Sequence, residues 1–156
     1  GILFDLLRRS SDEEEILVKN LLSRLGKQRY NSLLDIGAGD GSITQRLMPY
    51  FDEITAIDRL DSNIYFLKSL GIDAEKCLWE VYQTNKSFDI ILASHIMYYF
   101  PSKDWVKEMV RRQDHLKPEG QIFIVVNSRE GEYADFLRKF YPRFHETDIE
   151  QVHSAE

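Results

Sequence analysis

Apolar positions along the chain fall into blocks of two kinds, one recurring about every 3.6 residues and one short and nearly continuous, which predicts helices and strands in alternation. Ile16, Leu17, Leu21, Leu22 and Leu25 form the first helical stripe. It starts near Ser11, which has capping-box spacing to Glu14, and it stops at Gly26. Strands are expected at residues 32–36, 53–57, 73–78, 88–93 and 121–126, and the fourth is apolar almost throughout, as a strand buried on both faces should be. Helices are expected between them, at 42–48 before Pro49, at 62–70 before Gly71, and at 103–115 with Trp105, Val106, Met109 and Val110. A last helix at 129–141 carries Tyr133, Phe136, Leu137 and Phe140 and ends at Pro142. This order predicts the α/β class, a doubly wound parallel sheet with helices on both faces.

Bulk properties narrow the function. With 156 residues, 43% of them hydrophobic, the chain suits one domain, residues 1–156, with a substantial core. A net charge of -6 argues against nonspecific attraction to nucleic-acid phosphates, so no nucleic-acid partner is expected. Cys77 is the only cysteine and His95, His115, His145 and His153 are scattered, so neither a disulfide nor a metal site is expected. No apolar run approaches the roughly 18 residues that span a membrane, and Gly-Ile-Leu-Phe at the start lacks the form of a secretion signal. A cytoplasmic location is the expectation.

The segment Leu33-Leu34-Asp35-Ile36-Gly37-Ala38-Gly39-Asp40-Gly41 carries the chemistry. An apolar strand meets an acid and then three glycines at alternate positions, a pattern that turns sharply and lets a ligand touch the backbone. Asp58 ends the second strand 21 residues beyond Gly37, a spacing that suits an acid accepting hydrogen bonds from ribose hydroxyls. The order G-x-G-x-G differs from the G-x-G-x-x-G of dinucleotide sites and disfavours a nicotinamide-dependent oxidoreductase.

These residues resemble the class I, seven-strand S-adenosylmethionine-dependent methyltransferases, whose first motif is [D/E]-x-G-x-G-x-G. Asp58 matches their second-strand acid, Phe88-Asp89-Ile90-Ile91-Leu92-Ala93-Ser94 their fourth strand, and Leu116-Lys117-Pro118-Glu119-Gly120 their L-K-P-G-G turn. Glu119 departs from the pattern, standing where the family usually has glycine. The resemblance implies a Rossmann-like core of five strands. Members add a sixth strand and an antiparallel seventh, but only 30 residues follow the fifth here, so those strands are expected to be missing and the domain to be C-terminally incomplete.

The resemblance also implies S-adenosyl-L-methionine as cofactor and methyl transfer by in-line displacement. Gly37, Gly39 and Gly41 would cradle it, Asp35 would lie near its amino group, and Asp58 would hold its ribose, with an end-of-strand acid capping a turn or helix as the alternative for both acids. Replacing Asp58 by alanine would then weaken cofactor binding with little loss of stability. Arg59 either flanks the adenine or is a solvated cation, and Trp79 either stacks on the adenine or belongs to the core. Ser94 and His95 lie at the end of the fourth strand, where such sheets bind ligands. There His95 is the candidate proton acceptor, with a packed or capping histidine as the alternative. Ser94-His95-Ile96-Met97-Tyr98-Tyr99-Phe100 is similar to the matching segment of small-molecule N-methyltransferases, which makes a small-molecule acceptor the expected partner and Tyr98 and Tyr99 candidate walls of its site, with packing of the following helix onto the sheet as the alternative for both tyrosines. The alternative is a noncatalytic methyltransferase-like binding or scaffold domain.

Overall fold

The structure is a computed structural model that describes residues 13–25, 29–110 and 113–126, without the side chains of Glu13, Tyr98, Ser102, Trp105, Val106 and Met109. Its helices are α1 (Glu13–Arg24), α2 (Ser42–Leu47), α3 (Asp61–Ser69) and α4 (Trp105–Val110). Its strands are β1 (Tyr30–Ile36), β2 (Phe51–Asp58), β3 (Asp73–Lys76), β4 (Phe88–Ser94) and β5 (Leu116–Val125). The five strands form one sheet in the order β3-β2-β1-β4-β5, with every neighbouring pair parallel.

Alternation along β1 sends Leu33 and Leu34 to opposite faces, and both are fully buried. Leu33, Ile90 and Leu92 meet Val18 and Leu21 of α1, Leu25 just after it, and Leu47 of α2. Ile64 and Leu67 of α3 pack on Ala56 and Ala74. The other face buries Leu34, Ile36, Ile57, Ile91 and Ala93 against Trp79, Tyr82, Ile96 and Met97. Each such aliphatic side chain contributes about 1.5–3 kcal/mol by leaving water. β1 and β4 are thus covered on both sides, which holds their carboxyl ends rigidly.

Four expectations change. Val18 replaces Ile16 on the buried side of α1, where Ile16 is 55% exposed. The third strand ends at Lys76 rather than 78, because the chain turns into a 3-10 helix at Trp79–Val81. The helix expected at 103–115 is α within Trp105–Val110, between 3-10 turns at Ser102–Asp104 and Gln113–His115. β5 starts five residues early, at Leu116. The helix expected at 129–141 lies outside the described residues, as do Ser11 and the segment beyond 126.

The early start of β5 has a local cause. Phe88 pairs with Leu116 and Ile90 with Gln121, so Lys117, Pro118, Glu119 and Gly120 bulge opposite Asp89 alone. Asp89 holds this irregularity, with Oδ2 accepting from Lys117 Nζ at 3.1 Å and from the Ser32 backbone N–H at 2.8 Å. Glu119 sits there at φ 67°, the left-handed region. Glycine takes that conformation without the 1–2 kcal/mol, roughly, that a Cβ costs. Glu119→Gly is therefore expected to raise stability by about 1 kcal/mol in urea denaturation, with no change in the slope of the transition.

Candidate functional site

Between β1 and β4 the strand order reverses direction, since β2 and β3 lie to one side of β1 and β4 and β5 to the other. Open α/β sheets bind ligands at the carboxyl edge of such a point. The glycine loop leaves β1 there, and Ser94 and His95 end β4 beside it.

The loop is built by close approach. Gly37 has φ 68°, and a Cβ on it would lie 2.1 Å from Ile96 Cγ2, so the segment after β4 is folded directly onto this glycine. Gly37 and Ala38 both donate their N–H to Ile57 O, at 2.8 and 3.1 Å, which ties the loop to β2. Gly41 N–H closes the turn on Ala38 O at 3.0 Å, and α2 begins at Ser42.

Asp58 reaches into this loop from the end of β2. Its Oδ2 accepts the Gly39 N–H at 2.9 Å, while Oδ1 accepts the Leu60 N–H at 2.8 Å and Asn63 Nδ2 at 3.0 Å. A carboxylate offers about four acceptor positions, so the described residues fill three and leave one on the Oδ2 side.

Asp35 occupies a different environment. It is 2% exposed, and its Oδ2 accepts the Thr44 hydroxyl of α2 at 2.6 Å, so it lies beneath the loop and anchors α2 to β1. Burial, partly offset by the Thr44 hydrogen bond and reinforced by the Asp58 charge, pushes its pKa up from 3.8 to about 6. A carboxyl with a folded pKa above its unfolded one binds the extra proton in the folded state. Its contribution to stability is therefore complete below about pH 4 and is lost as pH rises through 6. Asp35→Asn, which keeps an acceptor for Thr44, is expected to remove that fall and to gain up to about 3 kcal/mol at pH 7. Urea denaturation of both proteins at pH 4, 5, 6 and 7 checks it.

On the β4 side, Ser94 is 8% exposed and its Oγ has no hydrogen-bond partner among the described residues. A buried hydroxyl in that state at the ligand edge of a sheet fits a polar group arriving from outside. His95, half-buried, has φ 57° and donates its N–H to Val125 O at 2.9 Å. The left-handed residue re-aims the chain so that Ile96 lands on Gly37.

Arg59 and Tyr99, which the sequence places on separate segments, meet across the mouth of the crevice with the guanidinium carbon 4.8 Å from the ring centre. Tyr99 is 67% exposed. Tyr98 belongs to the 3-10 turn Met97–Tyr99, and its side chain lies outside the described residues. Trp79 is 4% exposed and packs in the core with Leu34, Ile36 and Ile57. Sequence reasoning missed Thr44 and Asn63, which hold the two acids. The only signal for either was its position one or two helical turns after the motif.

A second depression, of about 430 Å³, lies at the opposite end of the sheet between Asn31, Asp52, Lys86 and Lys117. Its lysines already pair with Asp73 and Asp89. That neutralisation makes it a poorer ligand site than the switch-point crevice. No group of three or more potential metal ligands occurs among the described residues, and no helix there is long and apolar enough to cross a membrane.

Fold and site together define an α/β protein with a glycine-loop binding crevice at the sheet's switch point. Residues 10–155 match the family model of a methyltransferase domain, and the chain belongs to that family. It is 27% identical over 88 residues to the uncharacterized methyltransferase C70.08c of Schizosaccharomyces pombe, a match covering 53% of this chain and 34% of that protein. Among solved structures it resembles the plantazolicin methyltransferase BpumL in complex with a triazolic desmethylPZN analog and SAH, with a TM-score of 0.73 and 21% identity over 96% of this chain and 60% of that one. It also resembles the N-methyltransferase NodS of Bradyrhizobium japonicum WM9, with a TM-score of 0.67 and 19% identity over 92% of this chain and 83% of that one. The chain thus spans about a third of the curated relative and about three fifths of BpumL.

Proposed function

We propose that this chain is the cofactor-binding core of a cytoplasmic S-adenosylmethionine-dependent methyltransferase that acts on a small-molecule acceptor. One observation carries the reading: the glycine loop stands at the switch point, clamped by Asp58 with one acceptor position to spare, in a chain of the methyltransferase family. Related folds point the same way, since the coclaurine N-methyltransferase it resembles is bound to N-methylheliamine and SAH, and BpumL holds a plantazolicin analog and SAH.

The residues present fit the cofactor. Asp58 Oδ2 would hold a ribose hydroxyl at its remaining position, the loop from Gly37 to Gly41 would let the amino-acid and ribose portions approach the backbone, and Ser94 Oγ, without a partner among the described residues, would be open to a polar group of the ligand. Arg59 and Tyr99 border the mouth. The two acids, Asp35 and Asp58, give the crevice the sign of charge that favours a sulfonium.

When bound, S-adenosylmethionine supplies an electrophilic methyl group on positively charged sulfur. The chain's task is alignment, which for well-oriented reactants is worth roughly 7–11 kcal/mol of barrier. The chain's own groups would hold the acceptor in line with that methyl group, and the His95 imidazole just after β4 would take the proton that the acceptor loses. The exposed ring of Tyr99 at the mouth would wall the acceptor.

Calorimetric titration of this chain with S-adenosylmethionine, S-adenosylhomocysteine and NAD tests the cofactor, and labelled-methyl transfer to a panel of small amines tests the acceptor. Binding of both adenosyl ligands but not NAD is the expected result. A folded sample that binds neither contradicts the proposal, and one that binds both yet methylates nothing in the panel favours a binding domain.

A further inference from the structure

Of the three loop glycines, Gly39 alone has open space where a Cβ would sit. A Cβ on Gly37 would strike Ile96 Cγ2 at 2.1 Å and one on Gly41 would strike Leu67 Cδ2 at 2.8 Å, but one on Gly39 would meet nothing nearer than Gly37 O at 3.9 Å. Beside the backbone bonds of Ala38 and Gly41, the middle of the loop is held by the hydrogen bond from Gly39 N–H to Asp58 Oδ2. The direction of that bond depends on how the Asp58 carboxylate is turned. Two donors hold its other oxygen, the Leu60 N–H and the Asn63 side-chain amide, and Asn63 is the only side-chain donor to Asp58 among the described residues.

We propose that Asn63 is a positioning residue for the cofactor subsite: from half-buried ground on α3 it orients Asp58, and through Asp58 it sets the place of Gly39. The inference rests on the cofactor reading given above. Its mechanical half, from Asn63 to Gly39, stands independently of any ligand. An acid held from one side only could rotate and exchange its oxygens. The amide at 3.0 Å, together with the helix backbone at Leu60, pins Oδ1, so Oδ2 keeps one position on Gly39 and the other for the ligand. Asn63 thus preorganises an acceptor that would otherwise lose freedom on binding.

Two variants test it. Asn63→Leu removes the donor and places a better helix former on α3, so α3 itself should not be weakened. Amide hydrogen exchange of Gly39 N–H in the unliganded protein is expected to quicken by roughly tenfold, and S-adenosylhomocysteine affinity to fall by a similar factor, the worth of one hydrogen bond to a charged group. Asn63→Asp puts a second carboxylate beside Asp58. Near pH 5 a shared proton can stand in for the amide donor, and as pH rises both groups ionise and repel. The loss of affinity relative to wild type is therefore expected to grow between pH 5 and 8. Of the nearby charged groups, Asp35 is present equally in both proteins and Asp61 is engaged by Lys76 at 2.6 Å, so the comparison isolates the new pair.

Unchanged Gly39 exchange in Asn63→Leu overturns the proposal, and so does an Asn63→Asp protein whose affinity follows wild type at every pH. If wild type itself binds no S-adenosylhomocysteine, the cofactor reading fails, and Gly39 exchange alone then decides whether Asn63 holds the loop.

Discussion

Gly37→Ala is expected to abolish S-adenosylhomocysteine binding and to lower stability by about 2–5 kcal/mol, the largest single effect in the chain. Two costs combine. A Cβ at φ 68° is disfavoured by about 1–2 kcal/mol, and the new methyl would sit 2.1 Å from Ile96 Cγ2, which must move. Ile96 is 8% exposed and packed among Ile36, Ile57 and Met97, so displacing it disturbs the core at the end of β4 and the crevice together. Gly71→Ala serves as the control, since φ is 81° there but nothing lies within 4 Å of the added carbon, and it should cost about 1 kcal/mol with binding intact. Adding Ile96→Ala to Gly37→Ala removes the clashing Cγ2 and should recover part of the loss, so the pair would be strongly non-additive in urea denaturation.

Asp58→Ala comes next, with an expected loss of about 2–4 kcal/mol and cofactor affinity reduced below detection by calorimetry. The motif alone predicts a binding defect with little effect on folding. The structure changes that expectation, because Asp58 is 7% exposed and satisfies three donors, the N–H groups of Gly39 and Leu60 and the Asn63 amide. Removing the carboxylate leaves them without an acceptor in a part-buried place. Asp58→Asn separates the two roles. Its amide oxygen can serve one side of the clamp, but its NH₂ then faces a donor on the other, so roughly half the stability is expected back while binding stays impaired. Urea denaturation and calorimetry on the same samples check both.

Much of this was legible in the sequence, and the reasons are physical. β4 is an almost continuous apolar run, and β1 and β2 keep buried apolar residues at Leu33, Leu34 and Ile36 and at Ala56 and Ile57 before a glycine or an acid ends them. The glycine loop was legible because alternate glycines serve a backbone geometry that other residues enter only at a cost. The family's preference for glycine at position 119 has the same basis, and Glu119 at φ 67° shows what ignoring it entails.

What was not legible depended on partners distant in sequence. α1 carries apolar residues on two faces, and the choice of Val18 over Ile16 is made by Leu33, Ile90 and Leu92 on the sheet. Trp79 read equally well as a stacking platform or as core until the 3-10 turn after β3 folded it inward. Asp35 and Asp58 look alike as strand-end acids. The register separates them: Asp35 pairs with Ala56, so Asp58 lies two positions farther toward the carboxyl edge on the same face, and Asp35 stays under α2 on Thr44 while Asp58 reaches the loop. Arg59 and Tyr99 lie 40 residues apart and meet only because β2 and β4 flank β1.

The central claim is that the switch-point crevice is the cofactor site, and titration with S-adenosylhomocysteine followed by amide NMR tests it most directly. The account predicts shifts concentrated at Gly37, Gly39, Gly41, Leu60, Ser94 and His95, with Asn31, Ser87 and Lys117 at the far end of the sheet unmoved. Shifts centred on that far depression, or none at saturating ligand in a folded sample, would contradict it.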